Sequence, residues 1–262
     1  MKVCSLASSS KGNCTVIYND EHAILIDMGI TLKDLEDKLS RIGVSPYTIR
    51  AVLISHEHID HTKGVGTLNR KYGVPIYCHE TAVSGILDRV GKHNGNVVVF
   101  NHVPFGIEDF TIDTFKVPHD VPYCVGFNVY ENQNKISIVT DLGHTTTDIV
   151  ERLYDSRLVI LESNHDEDKL MRNPKYSFSL KKRILGDKGH LSNTTCARVI
   201  CKLAEHNVRQ VLLAHLSEEN NTPDICYKTV TQYLLNNGII PQEHIKIDIA
   251  KPNGLGPIFV IK

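Results

Sequence analysis

One six-residue segment, His56-Glu57-His58-Ile59-Asp60-His61, carries residue types that can bind metal ions. It places three imidazoles and an aspartate at i, i+2, i+4 and i+5. These groups suit Zn²⁺, Mn²⁺ or Fe better than Ca²⁺ or Mg²⁺. In an extended segment alternate side chains point the same way, so His56, His58 and Asp60 would face one side while His61 turns toward a neighbouring point. The spacing favours two adjacent ions over one; the alternative is a surface histidine cluster or a metal-binding loop without catalysis.

Three further candidate ligands, His119, Asp141 and His215, each follow an apolar run that predicts a buried strand. The run Ala51–Ile54 precedes the histidine segment in the same way. Taken alone, a histidine after a strand is more often an ordinary loop residue. We expect these side chains to converge at a sheet edge because the same arrangement recurs four times.

The ligand set that follows from this recurrence has seven members. We predict that His56, His58 and His119 bind one ion, and that Asp60, His61 and His215 bind the other. Asp141 would bridge both ions through its two oxygens, and we count Asp60 also among the catalytic residues. A hydroxide bridging the two metals would be a nucleophile at neutral pH without a side-chain base.

Two other segments offer groups for proton transfer and substrate binding. Glu162 follows the predicted strand Leu158–Leu161, and His190 lies in a glycine-containing loop before a predicted helix. The pair can orient each other, with His190 giving a proton to the leaving oxygen. The alternative is that His190 or Ser192 only caps the helix. We take His165 and Ser192 as substrate contacts; the alternative for His165 is a polar residue that does not touch the substrate.

A basic run with interleaved rings follows in the sequence. Lys181 and Lys182 are its central cations, and Tyr176 and Phe178 are its aromatic residues. Cations and stackable rings suit single-stranded nucleic acid, so both lysines are candidate substrate-binding residues. A solvated helix face explains the same residues nearly as well.

The elements that must position these groups predict an α/β fold. The chain has 262 residues, of which 41% are hydrophobic, and a formal net charge of −1. No apolar run has membrane-spanning length, and the first residues lack a signal-peptide core. The seven cysteines contain no Cys-x-x-Cys pair, so we expect buried free thiols in a reduced, cytoplasmic protein. Strand-rich and helix-rich material occurs twice, which predicts a four-layer αββα sandwich in a single domain, residues 1–262.

Local patterns give the expected elements. A polar turn is expected at residues 8–13, and Thr31 should open a helix that ends before Gly43. Further helices are expected at Val65–Tyr72, Thr81–Leu87, Thr194–His206 and Pro223–Asn236. Closing edge strands are expected at Lys246–Ile249 and Ile258–Ile261.

The motif at residues 56–61, followed in order by His119, Asp141 and His215, resembles the metallo-β-lactamase superfamily. Asp27 matches an early aspartate that in this family supports the histidine loop. The resemblance implies the metallo-β-lactamase fold for nearly the whole chain. With an aspartate at position 141, the sequence resembles the phosphodiesterase, nuclease and glyoxalase branches of this superfamily.

Three other segments resemble the WalJ/YycJ group of small bacterial enzymes, which are regarded as 5′–3′ exonuclease-like. They are Cys4–Cys14, Leu161–Asp166 and Lys188–Asn193. Glu162 and Gly189–Ser192 are also similar to the Glu/His relay of tRNA-maturing endonucleases of this fold.

The function expected from these features is a dinuclear metal-dependent phosphodiesterase, a 5′–3′ DNA exonuclease that uses a metal-bridging hydroxide. Its cofactors would be two divalent ions, Zn²⁺, Mn²⁺ or Fe, and its substrate single-stranded or end-containing DNA. One alternative is a small-molecule hydrolase: a cyclic phosphodiesterase, a thioesterase such as a glyoxalase, or a lactonase. The other is a catalytically silent interaction protein. No membrane partner is expected, and the oligomeric state stays open.

Overall fold

The computed structural model describes all residues from Met1 to Lys262. The strands are β1 Lys2–Ser9, β2 Gly12–Tyr18, β3 Ala23–Ile26, β4 Ile49–Leu53, β5 Ile76–His79, β6 Val97–Phe100, β7 Phe105–Ile107, β8 Phe110–Val117, β9 Cys124–Glu131, β10 Asn134–Val139, β11 Leu158–Glu162, β12 Gln210–Ala214, β13 Lys246–Ile249 and β14 Ile258–Val260. The helices are α1 Leu32–Arg41, α2 Ile59–Thr62, α3 Val65–Tyr72, α4 Val83–Val90, α5 Thr147–Glu151, α6 Glu167–Arg172, α7 Phe178–Leu185, α8 Asn193–Glu205 and α9 Pro223–Asn236, and a 3-10 helix spans Pro46–Thr48. None of the helices combines the length and the apolar character needed to cross a membrane.

The strands form two mixed seven-stranded sheets. The first has the order β14-β1-β2-β3-β4-β5-β6, and the second has the order β13-β12-β11-β10-β9-β8-β7. In the first sheet β3 to β6 are parallel, and in the second β10 to β13 are parallel. The carboxyl ends of parallel neighbours lie at one edge of a sheet, so residues that follow them are brought close together. The prediction that β13 and β14 close the sheets as edge strands is confirmed.

Residue contacts group the chain into two compact units. The first unit consists of Met1–Thr114, Val121–Val125 and Ala250–Lys262, and the second of Phe115–Asp120 and Gly126–Ile249. The single hydrolase domain over residues 1–262 stays a prediction.

Helix α1 shows how the sequence forms the first unit. Thr31 Oγ1 accepts a hydrogen bond from the Asp34 backbone N–H, which satisfies a donor at the start of the helix. Leu35 and Leu39, one turn apart, are fully buried in the core of this unit. Gly43 lies just past the end with a φ of 72°, a conformation that glycine adopts without strain. The predicted cap and stop are confirmed.

Two local expectations are wrong. The polar turn at residues 8–13 is only two residues long, Ser10 and Lys11, because β1 and β2 pair as far as Ser9 and Gly12. The histidine segment is not extended throughout, since α2 begins at Ile59 and places Asp60 and His61 on a helical turn. The alternation of side-chain directions along an extended segment therefore does not decide where Asp60 and His61 point. The expected free thiols are confirmed: all seven cysteines are free, and six of them are buried.

Candidate metal centre

Three residues at strand ends share an unusual backbone conformation. Asp27 follows β3, Asp141 lies two residues past β10, and His215 follows β12; their φ angles are 58°, 59° and 55°. Non-glycine residues rarely adopt this left-handed region, and such strain is concentrated at functional sites. The backbone is thus strained at two aspartates and one histidine that lie next to sheet edges.

Asp27 organises the histidine loop in the first unit. The residue is 4% exposed. It accepts hydrogen bonds from the Ser55 backbone N–H at 2.8 Å, the Ser55 hydroxyl at 2.8 Å and His61 Nδ1 at 2.8 Å. A histidine whose Nδ1–H is held in this way presents the lone pair of Nε2. Asp27 therefore fixes the tautomer of His61.

Four side chains of this loop present possible ligand atoms. His56 Nε2 and His58 Nδ1 are 3.0 Å apart, and His61 Nε2 lies 3.5 Å from Asp60 Oδ2. Two nitrogens bound tetrahedrally to one Zn²⁺ at 2.0–2.1 Å would be about 3.4 Å apart. The first unit thus holds ligand atoms with separations close to those of a metal site.

Asn13 also contacts this loop. Its Nδ2 lies 3.1 Å from His61 Nε2 and 3.3 Å from Asp60 Oδ2. Asn13 and Ser55 were absent from the predicted site. Ser55 directly precedes His56 in the sequence, and this position was a signal for it, whereas β2 brings Asn13 to the loop only in the folded chain.

Glu162 has the corresponding role in the second unit. This carboxylate is fully buried, and its Oε1 lies 2.9 Å from His190 Nδ1 and 2.7 Å from His215 Nδ1. It also accepts three backbone N–H groups, those of Asp141, Leu142 and Leu191. Burial raises the pKa of Glu162, but the two imidazoles lower it by more than burial raises it. The net effect is a lowered pKa. The ionised carboxylate directs the Nε2 atoms of both histidines away from itself.

His119 is held in the same tautomer by the backbone. Its Nδ1 donates to the Gly189 carbonyl oxygen at 3.3 Å. Its Nε2 lies 3.2 Å from Asp120 Oδ1 and 3.8 Å from Asp141 Oδ1. Burial lowers the pKa of His119, which favours the neutral imidazole that binds metals. Asp120 was left off the predicted site, although its place next to His119 was a signal for it.

Within the second unit, ligand atoms of four side chains lie within 4.8 Å of one another. They belong to Asp141, Glu162, His190 and His215. The donor set of imidazole nitrogens and carboxylate oxygens fits a divalent transition metal. Both units therefore carry His/Asp groups suited to metal binding. Each of the seven predicted ligands belongs to one of the two units.

The remaining predicted residues differ in what they contact. His165 is 1% exposed, neither ring nitrogen has a hydrogen-bond partner within the protein, and burial lowers its pKa to about 4. Ser192 Oγ accepts the Thr195 N–H at 3.2 Å and caps α8. The capping alternative thus describes Ser192, whereas His190 contacts Glu162.

Two lysines of the basic run, which also includes Lys175, are bonded to neighbouring groups. Lys181 Nζ donates to the Met171 carbonyl oxygen at 2.7 Å, and Lys175 pairs with Glu219. Lys182 is exposed on α7, and so is Phe178, at 75%. Lys182 and Phe178 are therefore available to an external partner, as the nucleic-acid interpretation requires.

The sequence matches the family described as "Beta-lactamase superfamily domain" over residues 22–216. The chain belongs to this superfamily. The match spans all the predicted ligands, and it confirms the metallo-β-lactamase type of α/β fold. The chain is thus a metal-dependent hydrolase of the β-lactamase superfamily.

Several known proteins are similar to this superfamily member over nearly its full length. "Exodeoxyribonuclease YycJ" of Bacillus anthracis is 29% identical, covering 94% of each chain. "Exodeoxyribonuclease WalJ" of Streptococcus pneumoniae is 28% identical, covering 98% of this chain and 97% of the relative. The resemblance to the WalJ/YycJ group is therefore confirmed.

Solved structures show the same fold at lower sequence identity. The metallo-β-lactamase fold protein YhfI from Bacillus subtilis superimposes with a TM-score of 0.74 at 18% identity, covering 98% of both chains. The short form of human tRNase Z superimposes with a TM-score of 0.64 at 17% identity, covering 99% of this chain and 100% of that chain. These similarities support the fold assignment alone.

Proposed function

We propose that this superfamily hydrolase cleaves phosphodiesters of DNA from the 5′ end with two divalent ions, Zn²⁺, Mn²⁺ or Fe. The observation that carries the substrate class is the near full-length similarity to two proteins named exodeoxyribonucleases. The 5′–3′ polarity is carried over from the WalJ/YycJ resemblance. The proposed substrate is single-stranded or end-containing DNA.

The proposed ligands are the seven residues of the sequence prediction. One ion would take His56, His58 and His119, the other Asp60, His61 and His215, and Asp141 would serve both. The supporting observation is that His61, His119 and His215 each have Nδ1 within hydrogen-bond distance of an acceptor, so that Nε2 carries the lone pair that a metal ligand requires. When bound, two divalent ions would supply an activated water at neutral pH and neutralise charge on the diester.

Glu162 and His190 would handle the proton of the leaving group. Burial lowers the pKa of His190, but the charge and hydrogen bond of Glu162 outweigh it and raise the pKa. The half-buried ring then holds a proton on Nε2 for the departing oxygen. An alkoxide is a poor leaving group, and such an acid contributes roughly 10²–10⁴-fold to the rate. Glu162 is fully buried and bonded on both oxygens, so it acts as a positioning residue.

His165, Lys181 and Lys182 would bind the DNA strand. His165 supports this assignment with two buried ring nitrogens that have no partner within the protein. Such groups are rare in native structures unless water or a ligand satisfies them. Ser192 already caps α8, so only its remaining hydrogen-bonding capacity is available to substrate.

Digestion of DNA labelled at either the 5′ or the 3′ end, together with elemental analysis, tests the proposal. We expect early release of the 5′ label as a mononucleotide, about two equivalents of metal, and hydrolysis of bis-p-nitrophenyl phosphate that a chelator abolishes. His190→Ala should lower turnover by roughly 10²-fold or more while metal content is kept. His206→Ala, an exposed histidine at the end of α8, is the matched control and should be unchanged.

Cleavage of a thioester panel without cleavage of any diester would end the nuclease proposal and favour a glyoxalase-like hydrolase. Absence of bound metal and of any hydrolysis would favour a silent interaction protein. Equal loss of metal and turnover in His190→Ala would contradict the acid role.

A further inference from the structure

Three rings outside the predicted metal centre cluster in the first unit: His79, His102 and Tyr123. His79 is the last residue of β5, and His102 lies two residues past the end of β6. These strands run parallel to β4, so the two histidines lie at the sheet edge where β4 delivers the histidine loop. Tyr123 precedes Cys124, whose Sγ lies 3.7 Å from His56 Nδ1. The ring cluster therefore adjoins the histidine loop.

His79 and Tyr123 are stacked, His102 lies tilted beside them, and the cluster reaches the surface. The centroids of His79 and Tyr123 are 4.0 Å apart with an interplanar angle of 14°, and His102 lies 4.9 Å from His79. Tyr123 is half-buried and His102 is exposed. The next residue, Val103, is 68% exposed. An aromatic stack beside exposed apolar surface is the kind of platform on which nucleic-acid bases stack.

Hydrogen bonds fix where the protons of this cluster lie. His102 Nδ1 is 3.0 Å from the Thr114 carbonyl oxygen, which can only accept, so the neutral ring has a lone pair on Nε2. That lone pair accepts the hydrogen bond of the Tyr123 hydroxyl. The hydroxyl proton of Tyr123 is therefore committed, and its oxygen is an acceptor.

His79 has the opposite tautomer. Its Nδ1 accepts the Thr81 backbone N–H at 3.1 Å, so the proton of the neutral ring is on Nε2. Burial lowers the pKa of His79, which keeps the ring neutral at pH 7. His79 is 3% exposed, and its Nε2 has no hydrogen-bond partner within the protein.

This unpaired donor argues against a purely structural stack. Buried polar atoms in native proteins are nearly always hydrogen-bonded. Phe100 meets the His79 ring edge-to-face at 5.7 Å, but an N–H contact with an aromatic face is a weak substitute for a hydrogen bond. A phenylalanine at position 79 would stack as well without leaving a donor unsatisfied.

We propose that His79, His102 and Tyr123 form a subsite for one nucleotide of the substrate strand, next to the scissile phosphate. The Tyr123 ring would stack on the base, and the Nε2–H of His79 would donate to an oxygen of that nucleotide. This inference rests on the proposed nuclease function and adds a position of contact to it. The two groups that would contact the nucleotide, the Tyr123 ring and the His79 Nε2–H, bring no charge, because burial lowers the pKa of His79 and raises that of Tyr123. Their contribution should therefore not depend on salt, unlike that of phosphate contacts.

Short oligonucleotides with a single abasic site, placed at each position in turn, test the subsite. With intact DNA, Tyr123→Ala should raise KM about tenfold, the loss of one stacked base, with kcat nearly unchanged and the same factor at low and high salt. The wild-type enzyme should lose a similar factor at one abasic position. At that position Tyr123→Ala should lose nothing further, because the coupling between ring and base is already absent.

Two other variants separate stacking from folding. Tyr123→Leu fills the half-buried space without an aromatic face and should behave like Tyr123→Ala. Tyr123→Phe keeps the ring and should stay close to the wild type. Tyr47→Ala, a tyrosine of the same unit that is 77% exposed, is the control and should change nothing.

If Tyr123→Ala and the abasic site reduced activity independently and additively at every position, the subsite would be overturned. The nuclease function would remain intact. Joint loss of kcat and metal content in both Tyr123→Ala and Tyr123→Leu would show that the ring only supports the histidine loop. A wild-type enzyme that cleaves no oligonucleotide would overturn the proposed function, and the subsite with it.

Discussion

Replacement of Glu162 by glutamine tests the organisation of the second unit most directly. The carboxylate accepts five hydrogen bonds and is fully buried. Glutamine has almost the same shape, but it replaces one acceptor oxygen by an NH₂ group that only donates. In either orientation this NH₂ faces N–H donors, namely those of Leu142 and Leu191, or those of Asp141, His190 and His215.

The magnitude follows from the number of donors left without an acceptor. With the NH₂ toward the backbone pair, two buried N–H groups are unsatisfied at about 1–3 kcal/mol each. In the other orientation one backbone N–H is unsatisfied, and the imidazoles can change tautomer only by turning a protonated Nε2 toward the metal. We therefore expect Glu162→Gln to lower the free energy of unfolding by about 2–6 kcal/mol. Metal affinity should fall roughly 10–100-fold because His215 is no longer oriented.

Urea unfolding at pH 7, metal titration against a chelator and diester hydrolysis measure these effects. The matched control is Glu167→Gln, an exposed glutamate in the first turn of α6, which should stay within about 0.5 kcal/mol of the wild type. A Glu162→Gln variant that unfolds like the wild type, binds metal equally well and keeps full turnover would refute the orienting role.

Three other predictions concern single side chains. Asp27→Asn should weaken metal binding roughly 10–100-fold, because the amide cannot hold both Ser55 and His61 as the carboxylate does; unchanged affinity in a chelator competition would contradict this. The pKa of His165 is lowered from 6.5 to about 4, so below pH 6.5 the unfolded chain takes up a proton at this ring while the folded chain does not. The contribution of His165 to the free energy of unfolding is therefore highest above pH 6.5 and falls as the pH drops below that value. The wild type should lose about 2 kcal/mol more than His165→Asn between pH 7 and pH 5 in urea unfolding, and parallel pH profiles would refute the assignment. Leu35→Ala should cost about 2–5 kcal/mol of stability in thermal or urea unfolding, since Leu35 is fully buried; a loss below 1 kcal/mol would mean that α1 packs loosely.

Local chemistry explains which elements the sequence predicted well. The helices Val65–Tyr72 and Pro223–Asn236 and the strand Lys246–Ile249 lie where the pattern placed them. Their apolar spacing and end residues favour a single local structure. The short helix α2 was missed because it lies inside the ligand motif, where polar residues mask any helical period.

The same contrast between what local patterns predict and what they miss applies to the predicted site. Side-chain types and strand-end positions were sufficient to select the ligand candidates and the superfamily. They were not sufficient to show that Ser192 is a helix cap, or that Glu162 is bonded on both oxygens. The bonding of Glu162 depends on distances between segments that are far apart in sequence, whereas the Ser192 cap is a local contact that the sequence left as one of two alternatives.

Taken by itself, the sequence determined the residues that can bind metal, their order along the chain and the alternation of strands and helices. All of these follow from side-chain chemistry and local periodicity. Only the tertiary structure decided which ring nitrogen each histidine presents and which buried donors stay unpaired, as at His79 and His165. The physical reason is that a tautomer is set by a hydrogen-bond partner, and Asp27 for His61 or Glu162 for His215 reaches its histidine from another strand.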